Sequence, residues 1–190
     1  AADRAVIAVM DFVNVTNDPE VAWMGAGVAE TVTSDLAALD RYTVVDRWRV
    51  LDAVRHTGGS LTAAGQMLGT SQIVTGSFQR SGDNLRITAR LVAAGDGSTM
   101  ADVKVDGRVE DVFSLQDGIV RAFARDLSMT APARGSRTGG RETKDLDAYR
   151  AYIEGWLKVE SLDLDQVPAA ILDFERAILL DPRFASAYTA

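Results

Sequence analysis

LGTSQIVTGSFQRSGDNLRITARLVA, residues 68–93, is the stretch from which the rest of the chain can be read. Within it Leu85, Ile87, Ala89, Leu91 and Ala93 alternate with Arg86, Thr88, Arg90 and Val92. A period of two is the pleat of a half-buried strand, so the first set is expected to face a core and the second mostly solvent. Upstream, Ile73 to Arg80 is rich in β-formers, and Ser81-Gly82-Asp83-Asn84 supplies turn chemistry between the two runs. The expectation is an antiparallel hairpin. Gly76 lies inside its first strand, where glycine marks a bulge or a close backbone approach. No helix N-terminus follows Gly76-Ser77, which argues against a phosphate-binding role there.

Working outward, Ala5 to Val13 (AVIAVMDFV) is a nearly continuous apolar run without helical period, as in a central strand covered on both faces. A polar loop with Asn17-Asp18-Pro19 stops it. Val28, Val32, Leu36 and Leu39 then fall on one face of a helix, and Tyr42 to Val45 reads as a short strand. Asp46 is placed to N-cap a helix through about Arg55, which Gly58-Gly59 breaks. Ser60 to Leu68 makes another helix, closed by Gly69 at the C′ position. Beyond the hairpin, Gly95-Asp96-Gly97 turns the chain into a strand over Met100–Val105. Ser114-Leu-Gln-Asp117 has the form of a capping box, opening a helix with the stripe Leu115, Ile119, Phe123 and Leu127 behind Val112 and Phe113. The order β-α-β-α-α-β-β-β-α predicts an α/β (α+β) domain, a mixed sheet with flanking helices, over residues 1–130.

Residues 131–144 change composition. Pro132, three glycines and the basic Arg134, Arg137, Arg141 and Lys144 stand without large apolar neighbours, which predicts a flexible linker. Two helices follow, Leu146–Val159 and Pro168–Leu180, and Phe184–Ala190 reads as the opening of a third. Residues 145–190 are thus expected to form a helical hairpin with an apolar face left partly uncovered. Such a hairpin must pack on the α/β domain, pair with another copy, or belong to a longer array; truncation of a longer array is the expectation.

Four segments together resemble the TolB-like amino-terminal module, which bacteria join to tetratricopeptide repeats, often downstream of cyclase, kinase or winged-helix domains. They are AVIAVMDFVNVTNDPE (5–20), GVAETVTSDLAAL (27–39), LGTSQIVTGSFQRSGDNLRITARLVAAGDG (68–97) and DVFSLQDGIVRAFARDL (111–127). Asp11-Phe12 stands where the family commonly has P-F, and Ala26-Gly27 where it has D-G. Residues 145–182 resemble one tetratricopeptide repeat (TPR), with Gly155, Ala170, Phe174, Ala177 and Pro182 on pattern positions. The small residues let two helices approach while Phe174 fills the gap between them.

The 47% hydrophobic content is ample for a core, and the net charge of −7 opposes a sequence-independent grip on nucleic acid. No run approaches the roughly 18 apolar residues of a membrane span. Cysteine is absent, so disulfide and thiolate chemistry are excluded. The Ala1-Ala2-Asp3 start fits either a cleaved leader or a chain boundary.

Few residues invite chemistry. His56 is the only histidine and has no metal-ligand spacing around it, so it reads as a helix-end residue. Gly25-x-Gly27-x-x-Glu30 lacks the third glycine of a dinucleotide fingerprint; close packing at a helix start is the plainer reading, with an anion near Gly27 as the other. Asp35, Asp40, Asp46 and Asp52 are dispersed, and Ser34, Ser77 and Ser114 lack a nucleophile context. Trp23, Trp48 and Trp156 fit a core or an interface better than a pocket. No catalytic, cofactor-binding or metal-ligating residue is predicted, no cofactor is expected, and the binding residues stay unassigned.

Two functions follow as expectations. The first is a non-enzymatic interaction or scaffold module of an envelope-associated or signalling protein. Its TPR helices would grip a protein partner, with a homo-oligomer as the other assembly; the location is expected to be periplasmic or otherwise extracytoplasmic, with the cytoplasm, which fits the family's regulator relatives, as the alternative. The second is a sensor of a small molecule or anion, bound where Val13–Gly27 meets the sheet edge.

Overall fold

The computed structural model describes residues 4–39, 42–126 and 143–190. One sheet organises the first two segments. Its strands are β1 (Ala5–Val9), β2 (Val13–Asn14), β3 (Tyr42–Val44), β4 (Gln72–Ser81), β5 (Asn84–Ala93) and β6 (Thr99–Arg108). The order is β3-β1-β4-β5-β6, with β2 beside β4. β1 runs parallel to β3 and β4, whereas β4, β5 and β6 are antiparallel neighbours. This is a mixed α/β sheet.

The apolar run at the start is one central strand broken in the middle. After Val9 the chain leaves its ladder, the Phe12 N–H donates to the Gly25 carbonyl (3.1 Å), and pairing resumes with Val13 opposite Ser77. Both faces of β1 are covered, by different layers. Ile7 and Val9 pack beneath α1 (Met24–Ala37) and α4 (Val112–Asp126). Ala8 and Met10 pack beneath α2 (Arg47–Thr57) and α3 (Leu61–Leu68), with Ile73, Val92 and Ala94.

The central hairpin forms as the alternation demands. Leu85, Ile87, Ala89 and Leu91 are buried, while Arg86 and Arg90 point to solvent and pair with Asp106 (2.6 Å) and Asp102 (3.3 Å) across β5 and β6. The pattern changes at its end. Val92 is buried and Ala93 only half-buried, because α2 and α3 give that end of the sheet a second core, and a register shift falls between Leu91 and Val92. Gly76 is a close approach: a Cβ there would sit 2.3 Å from the Phe12 ring and 2.4 Å from the Thr88 carbonyl.

The Asp46 cap and the closing glycines behave as read, while Ser60, read as the first helical residue, is instead the cap of α3. Asp46 accepts from the Trp48 N–H (2.9 Å), Ser60 from the Ala63 N–H, and Gly58 and Gly69 close their helices at φ 59° and 64°. The Ser114 box does not form. A 3-10 turn over Val109–Asp111 leads directly into α4 at Val112, so Ser114 sits within the first turn, exposed. Strand β6 extends beyond the predicted Met100–Val105, because its ladder with β5 continues to Arg108 opposite Asn84.

Of the predicted linker, residues 131–142 lie outside the described residues, as do Leu127, Asp40 and the Ala1-Ala2-Asp3 start. Thr143 is buried: its hydroxyl donates to Asp181 (2.7 Å) and accepts from the Asp145 N–H (3.1 Å). Asp145 then N-caps α5 (Leu146–Glu160), which packs on α6 (Val167–Leu180), and α7 (Ala185–Thr189) follows. Gly155 makes the pairing close, since a Cβ there would lie 2.6 Å from the Phe174 ring.

Candidate functional site

The helical hairpin is docked on the α/β domain through α5, and that seam gathers most of the residues singled out in the sequence. At one end Tyr149 is buried with its ring edge-on to Trp23 and Phe113, at centroid distances of 6.1 and 5.3 Å. Its hydroxyl donates to the Gly27 carbonyl (2.8 Å), which leaves its oxygen to accept from the Thr31 hydroxyl (2.9 Å). The glycines of the partial fingerprint are there for packing. A Cβ on Gly25 would meet the Phe12 carbonyl oxygen at 2.4 Å, and one on Gly27 would press the Trp23 ring at 3.2 Å.

At the other end lies a crevice of a different kind. β1 hands the chain to α1 on one face, and β3 hands it to α2 on the opposite face. The gap beyond their carboxyl ends is therefore a topological switch point, the place where open α/β sheets commonly hold ligands. Asp11, from the end of β1, and Arg47, the first residue of α2, meet there in a forked pair at 2.6 and 3.2 Å. Glu160, the last residue of α5, takes the remaining side of the same guanidinium at 2.8 and 3.2 Å. Arg55 donates to the Glu160 carbonyl (3.1 Å), and Trp156 stands edge-on to Trp48 at 6.1 Å. The hairpin thus closes the crevice with its own carboxylate.

The electrostatics follow from that closure. Burial opposes the charge of Arg47, but hydrogen bonds to Asp11 and Glu160 and their negative charges outweigh it and raise its pKa above the ordinary value. Glu30, on α1 beside this group, has its pKa raised. Burial is the main cause, Arg47 pulls it down, and Glu160, Asp46 and Asp11 push it up. One half-buried cation holds two carboxylates, Asp11 and Glu160, together. Among the described residues no group of three or more His, Cys, Asp or Glu is arranged to hold a metal ion.

The remaining sequence candidates lie apart. His56 is exposed in the last turn of α2, its Nδ1 2.8 Å from the Asp52 carbonyl oxygen. Ser34 and Ser77 are half-buried within α1 and β4, away from any histidine. Two concavities flank the hairpin and the sheet. A groove of about 410 Å³ runs between Pro19, Trp23 and Leu157, and a trough of about 700 Å³ lies among Val15, Thr16, Arg80, Arg86 and Arg108. The arginines of the trough are paired, Arg80 with Asp18 and Glu20, and Arg108 with Glu110. Sequence reasoning missed Arg47 and Glu160; the only signal was a basic residue at a helix start.

Away from the seam, α6 turns apolar side chains outward. Ile171, Leu172 and Leu179 are 51, 65 and 81% exposed, and Val167 continues their side of the helix. Isolated exposed leucines are common, but several on one helix side mark a contact surface.

No family model matches the chain. It is 24% identical over 185 residues to "Putative adenylate cyclase 3" of Rhizobium meliloti (strain 1021), a match covering 97% of this chain. The chain spans 31% of the length of that curated relative. Among solved structures it is similar to the LpoB C-terminal domain from Salmonella enterica (TM-score 0.46, 18% identity, 56% of this chain and 86% of that one). It is also similar to lipoprotein GNA1162 from Neisseria meningitidis (0.47, 18%, 65% and 99%) and TolB from Acinetobacter baumannii (0.47, 12%, 66% and 29%).

Proposed function

We propose that this chain is a non-enzymatic interaction module of a bacterial signalling protein. In this reading the α/β domain is the base, and the hairpin is the first unit of a tetratricopeptide-type array. The outer side of α6 takes an amphipathic helix of a protein partner. The observation that carries the reading is the pairing of a tightly docked α5 with an outward-facing apolar α6: one helix anchors, the other presents. The likeness to "Putative adenylate cyclase 3" of Rhizobium meliloti supports a signalling context, since it runs through the hairpin as well as the α/β domain. An extracytoplasmic location belongs to the same proposal, and cell fractionation tests it.

Site-specific photo-crosslinking in the native cells tests the interaction. A benzophenone side chain at Ile171, Leu172 or Leu179 is expected to capture a protein, while one at exposed Glu20 on the α/β domain does not. Equal yields at all four positions, or none, would overturn the reading.

A second reading rests on the trough by Val15 and Thr16, where three arginines approach the sheet edge. A small anion could exchange for one of their carboxylate partners. Saturable thermal stabilisation by one compound, lost on replacing Arg86, is the expected sign of it.

A further inference from the structure

We infer that β6 is a self-complementary edge through which two copies of this chain join their sheets. Among the described residues β6 is the last strand of the sheet, ten residues long, and is paired only with β5. The Val109 N–H donates to the Asp83 carbonyl at the end of the β5–β6 ladder (2.9 Å). Backbone groups alternate in direction along a strand, so Asp102, Lys104, Asp106 and Arg108 turn their N–H and C=O groups away from β5. Among the described residues no backbone group bonds them from that side. Their side chains share the uncovered face, and their signs alternate.

Edge strands are commonly blunted by charge, and a lone lysine would do that here. The alternation does something else. An antiparallel pair of β6 strands related by a two-fold axis normal to the sheet keeps each helix layer on its own face, and its register is set by the residue on the axis. With Val105 on the axis, Lys104 faces Asp106 of the second copy and Asp102 faces its Arg108, each pair occurring twice. Asp102 and Asp106 already have Arg90 and Arg86 on their inner side, so each would lie between two cations. Registers one step away are repelled. Centring on Lys104 sets it against itself and Asp102 against Asp106; centring on Asp106 sets Lys104 against Arg108. Centring on Val103 matches only Asp102 with Lys104. Opposite charges directly across a strand pair stabilise it and like charges destabilise it.

Sedimentation equilibrium of the full chain over a range reaching about 1 mM tests this. A dimer is expected. Lys104→Pro removes an outward N–H without touching the β5 ladder, so it should leave the far-ultraviolet spectrum intact and abolish the dimer. Lys104→Asp should weaken it by about tenfold or more, because two attractive pairs become repulsive. Adding Asp106→Lys to that variant restores it, whereas combining Asp102→Lys with Lys104→Asp does not. A chain that stays monomeric throughout, or a dimer indifferent to Lys104→Pro, overturns the inference. Rescue by the second combination in place of the first overturns the Val105 register.

Discussion

Tyr149 on α5 donates its hydroxyl hydrogen bond to the Gly27 carbonyl on α1, 2.8 Å away and 122 positions earlier in the chain. The bond crosses the seam between hairpin and α/β domain where water is excluded. Replacing Tyr149 with Phe removes the Gly27 carbonyl's outside donor and leaves the Thr31 hydroxyl without its acceptor. A loss of about 1–3 kcal/mol is expected in urea unfolding. Thr31→Val should cost less in the Tyr149→Phe background than alone, since the partner it would lose is already gone.

Gly155 is expected to be the least tolerant small position of the hairpin. Alanine there places a methyl carbon against a Phe174 ring that Tyr152 and Trp156 already hold at 6.0 and 5.9 Å. Over-packing of this kind costs about 1–3 kcal/mol. Adding Phe174→Leu should return part of the loss; thermal unfolding of the two variants makes the comparison.

Glu30 makes stability fall as pH rises. Its pKa in the folded chain lies above the ordinary value of 4.5, chiefly through burial, so the native state binds its proton more tightly than the unfolded state does. The stabilisation is complete below 4.5 and is lost as pH climbs through the raised pKa. Glu30→Gln should therefore be more stable than the parent at neutral pH. The difference should shrink as pH falls toward 4.5, as read in denaturant midpoints at several pH values.

Gln116 is fully buried on the inner side of α4, and among the described residues neither its Oε1 nor its Nε2 has a hydrogen-bond partner. An amide without partners in an apolar layer is costly. Gln116→Leu, close to it in size, should raise stability by about 1–2 kcal/mol. A decrease in the unfolding midpoint would show that the amide is satisfied after all.

Local rules carried the fold a long way. Alternation in Leu85–Leu91, the cap at Asp46, and the glycines at 58 and 69 each depend on neighbours within a few residues, and each was legible. The misreadings came where distant elements decide. Val92 is buried by α2 and α3, which no pattern inside its own strand announces. Ser114 resembles a helix start, yet the 3-10 turn at Val109–Asp111 begins the helix earlier. The seam was legible only as separate residues, tryptophans and small positions. That Glu160 would meet Arg47, 113 positions away, depends on how α5 lies across the sheet. Charge alternation in β6 went unread, because its meaning needs the strand order that makes β6 an edge.

Native-state hydrogen exchange across the seam tests the central claim, that hairpin and α/β domain open as one unit. The amides of residues 27–32 on α1 and 148–156 on α5 should exchange with the same free energy and fall together in Tyr149→Ala. If the α5 amides exchange far faster than those of α1, and Tyr149→Ala leaves α1 untouched, the hairpin is not anchored and the account fails.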